Sequence, residues 1–578
     1  MKTLTHPQQS AVDSRAARIL CIAGAGSGKT ETARQRVAAL VAQGVDAKKI
    51  VVLTFTNAAA HEFKARLKKC CERDHNGDGN CDRHPNGIRL GFVGTLHAFC
   101  VRMLREHGSK VGVWDGFTVI DEDQREELLQ SLAVAHKCRD SWKQLEKTVA
   151  DYLQTIAHGG EVRGVTAGLS TVRAYVQALG DSNALDFDLL LVRTLQLFRK
   201  PGVWGSMFGF THLFVDEFQD SGDLDAALYE AMPFTHRFFV GDPDQAVYSF
   251  RGGNVAHILN SVENNIGGGN VVVLEENFRC GRRICDAAQR LVEQNTARFK
   301  KRTVSALPFD GEIDVWTHSE PDSELRFIAR HIIDSKCQDD CAVLFATNDL
   351  CRRACEVFEK DFGIAIKAKG LGDVPPDFSK ARALMAFAVN PNSDLLAKQV
   401  CAWKFGKEQV GVLAQRAALG MTTINALVLN VSPMRAVPEL LAYLLAENIS
   451  ADSLRKLHEI AAKLDADATA IDLIVAASKD MHHRDEIGTG AVVTTFHSAK
   501  GREFGTVFLG ACEQAVIPSA RVAVNIEEQR RLFYVGMTRA KRNLIVSYSR
   551  ARAPFGSRRL IPTEPSQFIA EAGLRGGE

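Results

Sequence analysis

The glycine-rich loop from Gly24 to Thr30 constrains this chain more than any other sequence feature. It reads G-A-G-S-G-K-T, follows an apolar run at 19–23 and opens a predicted helix over 29–43. In a strand, loop and helix of this kind, backbone N–H groups and the helix N-terminus cradle phosphate groups. Lys29 is expected to reach the β- and γ-phosphates, and the Thr30 hydroxyl to ligate Mg²⁺. The loop therefore predicts an α/β fold that binds a nucleoside triphosphate.

An acidic pair at the end of another apolar segment suits the same chemistry. Residues 215–220 read V-D-E-F-Q-D and close a segment that begins at 212. We predict that Asp216 holds the metal ion and that Glu217 is the base that orients the attacking water. An acidic pair after a strand is also typical of an ordinary helix N-terminus. The phosphate loop in the same α/β unit favours the catalytic interpretation.

Short apolar segments alternate with helices along the rest of the chain. Ile50–Phe55 and 237–241 are predicted strands, and Ala58–Lys69 is a predicted helix, which together favour a parallel sheet. Ligands of such sheets bind at the carboxyl ends of the strands. A second set of apolar segments follows at 271–275, 313–316, 341–346, 491–496, 506–510 and 544–548. Helical patterns dominate 108–183 and 377–486, so we predict two α/β cores, each with a helical insertion.

Composition limits the kind of partner. The 578 residues carry a formal net charge of only +2, so a nucleic-acid surface must be a local patch. One basic run without Asp or Glu consists of Arg530, Arg531, Arg539, Lys541, Arg542, Arg550, Arg552, Arg558 and Arg559. No apolar run approaches the roughly 18–20 residues of a membrane span. Without a signal-peptide pattern, the 14 cysteines are expected to be free thiols in a reducing cytoplasm.

A series of further motifs follows in order along almost the whole chain. Besides the loop and V-D-E-F-Q-D, they are L-T-H-P-Q-Q-S-A-V at 4–12, T-F-T-N at 54–57, G-T-L-H-A-F at 94–99, V-G-D-P-D-Q-A-V-Y-S-F-R-G at 240–252, L-E-E-N-F-R at 274–279, T-T-F-H-S-A-K-G-R-E-F at 494–504 and R-R-L-F-Y-V-G-M-T-R-A-K at 530–541. In this order they resemble the motifs of superfamily 1A helicases of the UvrD/Rep/PcrA family.

The resemblance implies two RecA-like domains of the P-loop NTPase fold, with ATP bound between them. It places the first at 1–107 and 184–277, with a helical insertion at 108–183. It places the second at 278–376 and 487–560, with a shortened helical insertion at 377–486 and a tail at 561–578.

The resemblance also assigns roles around ATP and Mg²⁺. Arg279 and Arg539 are expected to act as arginine fingers, and Gln245 to sense the γ-phosphate. The expected nucleotide contacts are Gln8 at the adenine, Phe278 stacked on it, Glu503 near the ribose, and Gly24, Ala25, Gly26, Ser27, Gly28, Lys29 and Thr30 at the phosphates. Many family members carry Arg directly after the G-K-T, whereas this chain has Glu31. This departure predicts a looser choice of base.

Single-stranded DNA is the expected track. Tyr248 and Phe250 alternate on an extended segment and could face one strand together, with Arg251 on its phosphates. Buried core packing is the alternative for either ring. The family often has Trp where Phe250 stands. The other contacts implied by the resemblance are Phe55, Asn57, His97, Thr494 and His497.

Residues 70–84 form a Cys-rich segment that the family usually lacks. Cys70, Cys71, Cys81 and His84 are candidate Zn²⁺ ligands, although adjacent cysteines are poor spacing for zinc. The segment also resembles the start of a Ca²⁺ loop, but Pro85 stands where the twelfth-position Glu is needed. An Asn/Gly-rich surface loop with incidental thiols is the simpler interpretation.

The sequence thus predicts an ATP-dependent 3′→5′ DNA helicase that acts at single-strand and junction DNA in repair, replication or recombination, with repair or replication proteins as candidate partners. The polarity follows from the resemblance alone. The alternatives are a translocase that strips proteins from DNA but unwinds poorly, and a non-catalytic DNA-binding subunit. Lys29, Asp216, Glu217 and Arg539 argue against the second alternative. A helicase–nuclease is disfavoured because little chain follows the last motif.

Overall fold

The computed structural model describes most of the chain. The described residues are 4–73, 88–202, 209–249, 253–265, 271–368, 375, 377–405, 409–410, 413–414, 423, 425, 429, 431–464, 468–480, 490–520, 525–553 and 559–574. The helices are α1 (His6–Asp13), α2 (Lys29–Ala42), α3 (Asn57–Arg73), α4 (Leu96–His107), α5 (Glu122–Ala135), α6 (Trp142–Ala157), α7 (Ala167–Asp181), α8 (Phe187–Arg199), α9 (Asp223–Ala231), α10 (Val255–Asn265), α11 (Arg282–Val292), α12 (Pro321–Asp334), α13 (Asn348–Phe362), α14 (Phe378–Val389), α15 (Asp394–Phe405), α16 (Val437–Ala446), α17 (Ala451–Ala461), α18 (Ala470–Asp480), α19 (Ile526–Met537) and α20 (Gln567–Glu571).

The strands fall into two parallel sheets and three short ladders. They are β1 (Arg18–Ala23), β2 (Ile50–Thr54), β3 (Phe92–Thr95), β4 (Thr118–Val119), β5 (Ala184–Leu185), β6 (His212–Val215), β7 (His236–Gly241), β8 (Val271–Leu274), β9 (Glu276–Asn277), β10 (Val304–Ser305), β11 (Glu312–His318), β12 (Cys341–Phe345), β13 (Ile366–Ala368), β14 (Ala491–Thr495), β15 (Phe504–Leu509), β16 (Ala540–Ser549), β17 (Ala551–Arg552) and β18 (Ile561–Pro562).

The first sheet has the strand order β3-β2-β6-β7-β1-β8, and every neighbouring pair is parallel. Strands β1, β2 and β6 are almost wholly buried, as their largely apolar sequences require. Because the strands are parallel, the residues that follow β1, β2, β6 and β7 emerge at one edge. These are the phosphate loop, Phe55, Asp216 and Asp242.

The second sheet has the order β11-β16-β15-β12-β14-β13 and is also fully parallel. One face packs with α11 and α19, and the other with α12 and α13. The α/β fold with two such sheets confirms the predicted fold class. The sequence grouping of 271–275 with the later strands was wrong, because β8 pairs with β1 at the edge of the first sheet. Strand order is set by pairing across the sheet, which an apolar run does not reveal.

The two helical segments share one hydrophobic core with the first sheet. Buried side chains of α14 and α18 belong to the same cluster as those of α4, α6, α7 and α8. Arg382 of α14 forms a buried ion pair with Asp121 (3.1 Å) and a second pair with the exposed Asp123 (2.8 Å), both at the start of α5. The Asn390 amide donates to the carbonyl of Ser182 (2.6 Å). The second helical segment therefore lies on the first half of the molecule, although its sequence interrupts the second sheet.

Across the described ranges, no helix is both long and apolar enough to cross a membrane.

Candidate nucleotide and nucleic-acid sites

The phosphate loop has a backbone shape that requires glycine at two positions. Gly26 and Gly28 have φ of +66° and +79°, in the left-handed region. A Cβ on Gly26 would lie 2.8 Å from the Arg279 Cβ and 2.9 Å from Oδ1 of Asn277, and one on Gly28 would lie 2.9 Å from Nε2 of Gln8. The loop is thus a narrow backbone cradle at the N-terminus of α2.

Two carboxylates from the end of β6 meet the first residues of α2. The Thr30 hydroxyl donates to Oδ2 of Asp216 (3.0 Å), and Nζ of Lys29 lies 3.7 Å from Oε2 of Glu217. Burial and the neighbouring Glu217 raise the pKa of Asp216 to about 6. Both causes disfavour a negative charge on Asp216, and a divalent cation would offset both. A hydroxyl beside a carboxylate is also the donor set that Mg²⁺ takes at a phosphate site, so Thr30 and Asp216 fit this ion.

Glu217 is held in a strained backbone conformation. Its φ of +57° is uncommon for a residue with a side chain and has a cost of roughly 1–3 kcal/mol. Its amide donates to Asp216 Oδ1 (3.0 Å), and its carboxylate accepts from the Gln219 amide. Burial opposes ionisation of Glu217, but Lys29 and Lys500 outweigh it and lower its pKa to about 2. The carboxylate therefore stays charged at the edge of the cleft.

Residues that follow β8 close over the phosphate loop. The Asn277 amide donates to the carbonyl of Ala25 (2.7 Å), and the Phe278 backbone N–H donates to that of Gly26 (3.0 Å). Arg279 follows directly and pairs with Glu503 (2.8 Å). Glu503 also pairs with Lys541 (3.1 Å). Arg279 is thus positioned beside the loop by residues of the second half.

Arg539 is a buried cation at the same cleft, with only 1% of its surface exposed. It donates to the carbonyls of Val535 (2.8 Å) and Arg502 (3.2 Å), and Nη2 lies 3.5 Å from Oε1 of Gln245. Among the described residues it forms no ion pair. Burial and the neighbouring Arg279 lower its pKa to about 9, so it remains protonated at neutral pH. A buried, unpaired guanidinium is well suited to an incoming anion such as a triphosphate.

Lys500 joins the first half to the motif at 494–504. Its ammonium pairs with Asp220 (2.5 Å), donates to the carbonyl of Gln245 (2.9 Å) and lies 5.1 Å from the ring centre of Tyr248. Burial opposes its charge, but Asp220 and Glu217 outweigh burial and raise its pKa. One lysine therefore contacts both the acidic motif and an aromatic residue of the predicted DNA track.

The predicted base contacts have mixed surroundings. Phe278 is 42% exposed beside the phosphate loop, as a stacking residue would be. Both polar atoms of the Gln8 amide are engaged, with Thr5 N–H (3.0 Å) and the Ser27 carbonyl (2.9 Å). Glu31 accepts from Arg34 and Gln35 on its own helix. The adenine roles of Gln8 and Phe278 stay predictions.

The predicted DNA residues form one cluster around Tyr248. Its ring stacks on Phe55 at 5.0 Å, lies 6.2 Å from the His497 ring and is buried. The contacts of Tyr248 in this structure are therefore those of a buried core residue, which is the alternative to a DNA contact. Phe250 and Arg251 lie outside the described residues.

Three other predicted DNA contacts have different surroundings. His97 packs edge-on against Phe187 at 5.5 Å. Asn57 is partly exposed as the first residue of α3. Thr494 is fully buried within β14.

The candidate zinc residues Cys70, Cys71, Cys81 and His84 lie outside the part of the chain whose side chains are described. Within the described part, no group of three or more His, Cys, Asp or Glu side chains is arranged to hold a metal ion. The magnesium site predicted at Thr30 and Asp216 needs only two protein ligands, because Mg²⁺ takes its others from water and phosphate.

Sequence reasoning missed four residues of this cleft. Gln219, Asn277 and Lys500 stand inside quoted motifs, so their positions were available from the sequence but their partners were not. The Gln219 amide oxygen accepts from Asp242 N–H (2.9 Å), which links the ends of β6 and β7. The fourth, Lys301, falls in a basic run that matches no motif.

Family models match both parts of the chain. The model described as the UvrD/REP helicase N-terminal domain matches residues 4–265, and the UvrD-like helicase C-terminal domain matches 445–551. The chain belongs to the UvrD-like helicase family. As a UvrD-like helicase it is an ATP-hydrolysing DNA helicase enzyme.

Curated relatives of this UvrD-like helicase align over nearly its full length. Three are named ATP-dependent DNA helicase PcrA. Those of Leuconostoc citreum and Staphylococcus aureus are 27% identical, and that of Bacillus subtilis is 26% identical. The alignments cover 98% of this chain and 84–85% of the relatives. Their aligned lengths of 652–659 residues exceed the 578 residues of this chain, so the relatives carry extra residues within the aligned region.

Proposed function

We propose that this helicase translocates 3′→5′ on single-stranded DNA and unwinds duplex DNA at junctions, with each step driven by hydrolysis of one ATP. The observation that carries the proposal is the contact of Gln245 with Arg539 (3.5 Å), in a cleft where Arg279 also abuts Gly26. Groups from both halves meet at the phosphate loop. Hydrolysis there can therefore be coupled to closure and opening of the cleft.

The residues of the cleft have separate roles in ATP binding and hydrolysis. Lys29 and the loop amides bind the phosphates, and Thr30 with Asp216 holds Mg²⁺, which neutralises phosphate charge when bound. Glu217, charged and fixed at the cleft edge, orients the attacking water. Arg279 and Arg539 stabilise the negative charge that develops on the transferred group, and they can do so only while the cleft is shut.

The DNA track is proposed to pass beside Tyr248, Phe55 and His497, and to continue over Phe250 and Arg251. Support comes from Lys500, which contacts the Tyr248 ring and the acidic motif together. A shift of Tyr248 on DNA binding would therefore move Lys500 and alter its contacts with Asp220 and Gln245. This arrangement gives a route for stimulation of ATP hydrolysis by DNA.

The first test is ATP hydrolysis titrated with single-stranded DNA. The wild type should be strongly stimulated, and Lys29→Ala should be nearly silent because the phosphates lose their cation. Lys360→Ala, at an exposed position on α13, is the matched control and should behave as wild type. A wild-type rate that does not respond to DNA would refute the motor and favour the DNA-binding subunit.

Polarity and unwinding need a second experiment. Duplexes with a 3′ tail should be unwound, whereas 5′-tailed duplexes should stay intact. Stimulated ATP hydrolysis without strand separation would instead favour the protein-stripping translocase. A role in DNA repair, replication or recombination, with protein partners from those processes, belongs to the same proposal.

A further inference from the structure

Lys301 is a fully buried lysine to which the proposed function assigns no role. Its side chain is 0% exposed and forms ion pairs with Asp242 (2.8 Å to Oδ1) and with Asp244. Both aspartates follow β7 and are themselves buried. Burial opposes the charge of Lys301, but the two carboxylates outweigh burial and raise its pKa. A charge is kept in the interior only where its partners fix it firmly.

This ion pair joins two parts of the molecule. Lys301 lies after α11, whose buried side chains belong to the core of the second sheet. Its backbone carbonyl accepts from the Gln289 amide of α11 (2.9 Å). Asp242 and Asp244 belong to the edge of the first sheet that carries the phosphate loop. Lys301 therefore links the second core to the nucleotide edge of the first.

Asp242 passes this constraint on to Gln245. One carboxylate oxygen of Asp242 accepts from Lys301 and from Asp244 N–H (3.1 Å), and the other accepts from the Gln245 amide nitrogen. An ionised carboxylate only accepts hydrogen bonds, so the NH₂ group of Gln245 must face it. The amide oxygen of Gln245 is then turned toward Arg539. Lys301 and the Gln245 amide are thus bound to the same carboxylate, one to each of its oxygens.

We propose that Lys301 is a positioning residue for ATP hydrolysis, which fixes the Asp242 carboxylate so that Gln245 keeps its amide oxygen on Arg539. The inference rests on the proposed ATPase function. Without Lys301, the buried Asp242 carboxylate would lose the ammonium group that holds it in place. Gln245 would be free to flip and would present NH₂ to a guanidinium that has no lone pair to accept it.

The test compares Lys301→Met with the wild type in DNA-stimulated ATP hydrolysis. A misplaced Gln245 should lower kcat by roughly tenfold to a hundredfold, while KM for ATP changes by less than about twofold. Lys301→Arg, which keeps the charge, should recover part of the loss. An unchanged kcat in Lys301→Met, beside an active wild type, would overturn the inference and leave the ATPase proposal intact.

Arg298→Gln is the matched control. Arg298 makes a forked pair with Asp244 (3.1 and 3.0 Å) across the same junction but does not touch Asp242. This variant should unfold at a lower temperature than the wild type and keep a kcat near the wild-type value. Equal losses of kcat in both variants would mean that the junction matters only for stability, against the inference.

A double substitution separates positioning from general damage. In a Gln245→Ala background, Lys301→Met should cause no further loss of kcat, because its effect passes through Gln245. Multiplied losses would overturn the proposed route. If Lys301→Met does not fold, Lys301→Met with Asp242→Asn removes both charges. That variant should fold and still have a low kcat, since an Asn amide accepts either orientation of Gln245; a normal kcat would contradict the inference.

Discussion

Single residues of this helicase are placed by long-range partners rather than by their neighbours in sequence. The sequence motifs suggest catalytic roles for Lys29, Asp216, Glu217 and Arg539, and these roles stay predictions. They could not reveal that Arg539 is buried and, among the described residues, has no carboxylate paired with it, because burial arises from packing. The burial of Lys301 could not be predicted for the same reason, since a run of basic residues usually lies on a solvated surface.

A stacked histidine pair offers a residue-scale prediction on pH. His212 and His236 stand opposite each other at the amino ends of β6 and β7, with parallel rings 4.5 Å apart. Burial, His236 and Arg36 lower the pKa of His212 to about 4. Between pH 6.5 and 4 the unfolded chain binds a proton here that the folded chain does not, so stability falls as the pH falls through this window.

His212→Gln should remove that loss, which we expect to be on the order of 2–3 kcal/mol at pH 4. The measurement is the free energy of unfolding at pH 7 and at pH 4.5 for wild type and variant. His158→Gln, at an exposed position on the first helical insertion, is the control and should leave the acid sensitivity unchanged. Equal acid sensitivity in wild type and His212→Gln would contradict the prediction.

At the scale of elements, the strands and helices around the cleft were largely predictable. The predicted helix over 29–43 is α2, and the predicted strand Ile50–Phe55 is β2, with ends that differ by one residue. Apolar periodicity decides such elements locally. Strand order and the docking of α14 against α5 are decided by contacts distant in sequence, which no local pattern encodes.

The contact between α14 and α5 gives a prediction on stability. Arg382→Met would leave Asp121 buried and unpaired, and such a change costs roughly 3–5 kcal/mol. Burial already raises the pKa of Asp121. We expect a clear fall in the midpoint of thermal unfolding.

Arg435→Met is a suitable comparison, because Arg435 pairs with Asp115 (3.5 Å) between the same helical segments but at the surface. Removal of an exposed pair costs only about 0–1 kcal/mol. Similar decreases in the midpoint of thermal unfolding in the two variants would show that the buried pair with Asp121 contributes no more to stability than the exposed pair.

At the scale of the whole molecule, the order of the motifs predicts two sheets and a cleft. It does not predict which half of the molecule each helical segment packs against. The sequence interrupts the second sheet with residues 377–486, which suggests an appendage of that half. In the structure, α14 and α18 instead pack into the hydrophobic core that also contains residues of the first sheet. The boundaries predicted for the insertions stay predictions, whereas their shared core is an observed contact.

Replacement of 377–480 by a short Gly/Ser linker should therefore damage the first half. Apolar side chains of α4 and β4 would lose their cover, and the variant should bind a hydrophobic dye and aggregate. The control carries the same linker inserted next to Pro375 with the helices retained. A deletion variant that stays monomeric and unfolds at the wild-type temperature would contradict this prediction.

The shared core also sets an order of events during synthesis on the ribosome. The chain through Arg199 emerges well before Asp480, at the end of the last helix that completes the core. At about 5–20 residues per second, the gap lasts roughly 15 to 60 seconds. For that time the nascent N-terminal half displays an uncovered apolar surface. We expect holding chaperones to bind this apolar surface until α14 and α18 have been synthesised and cover it.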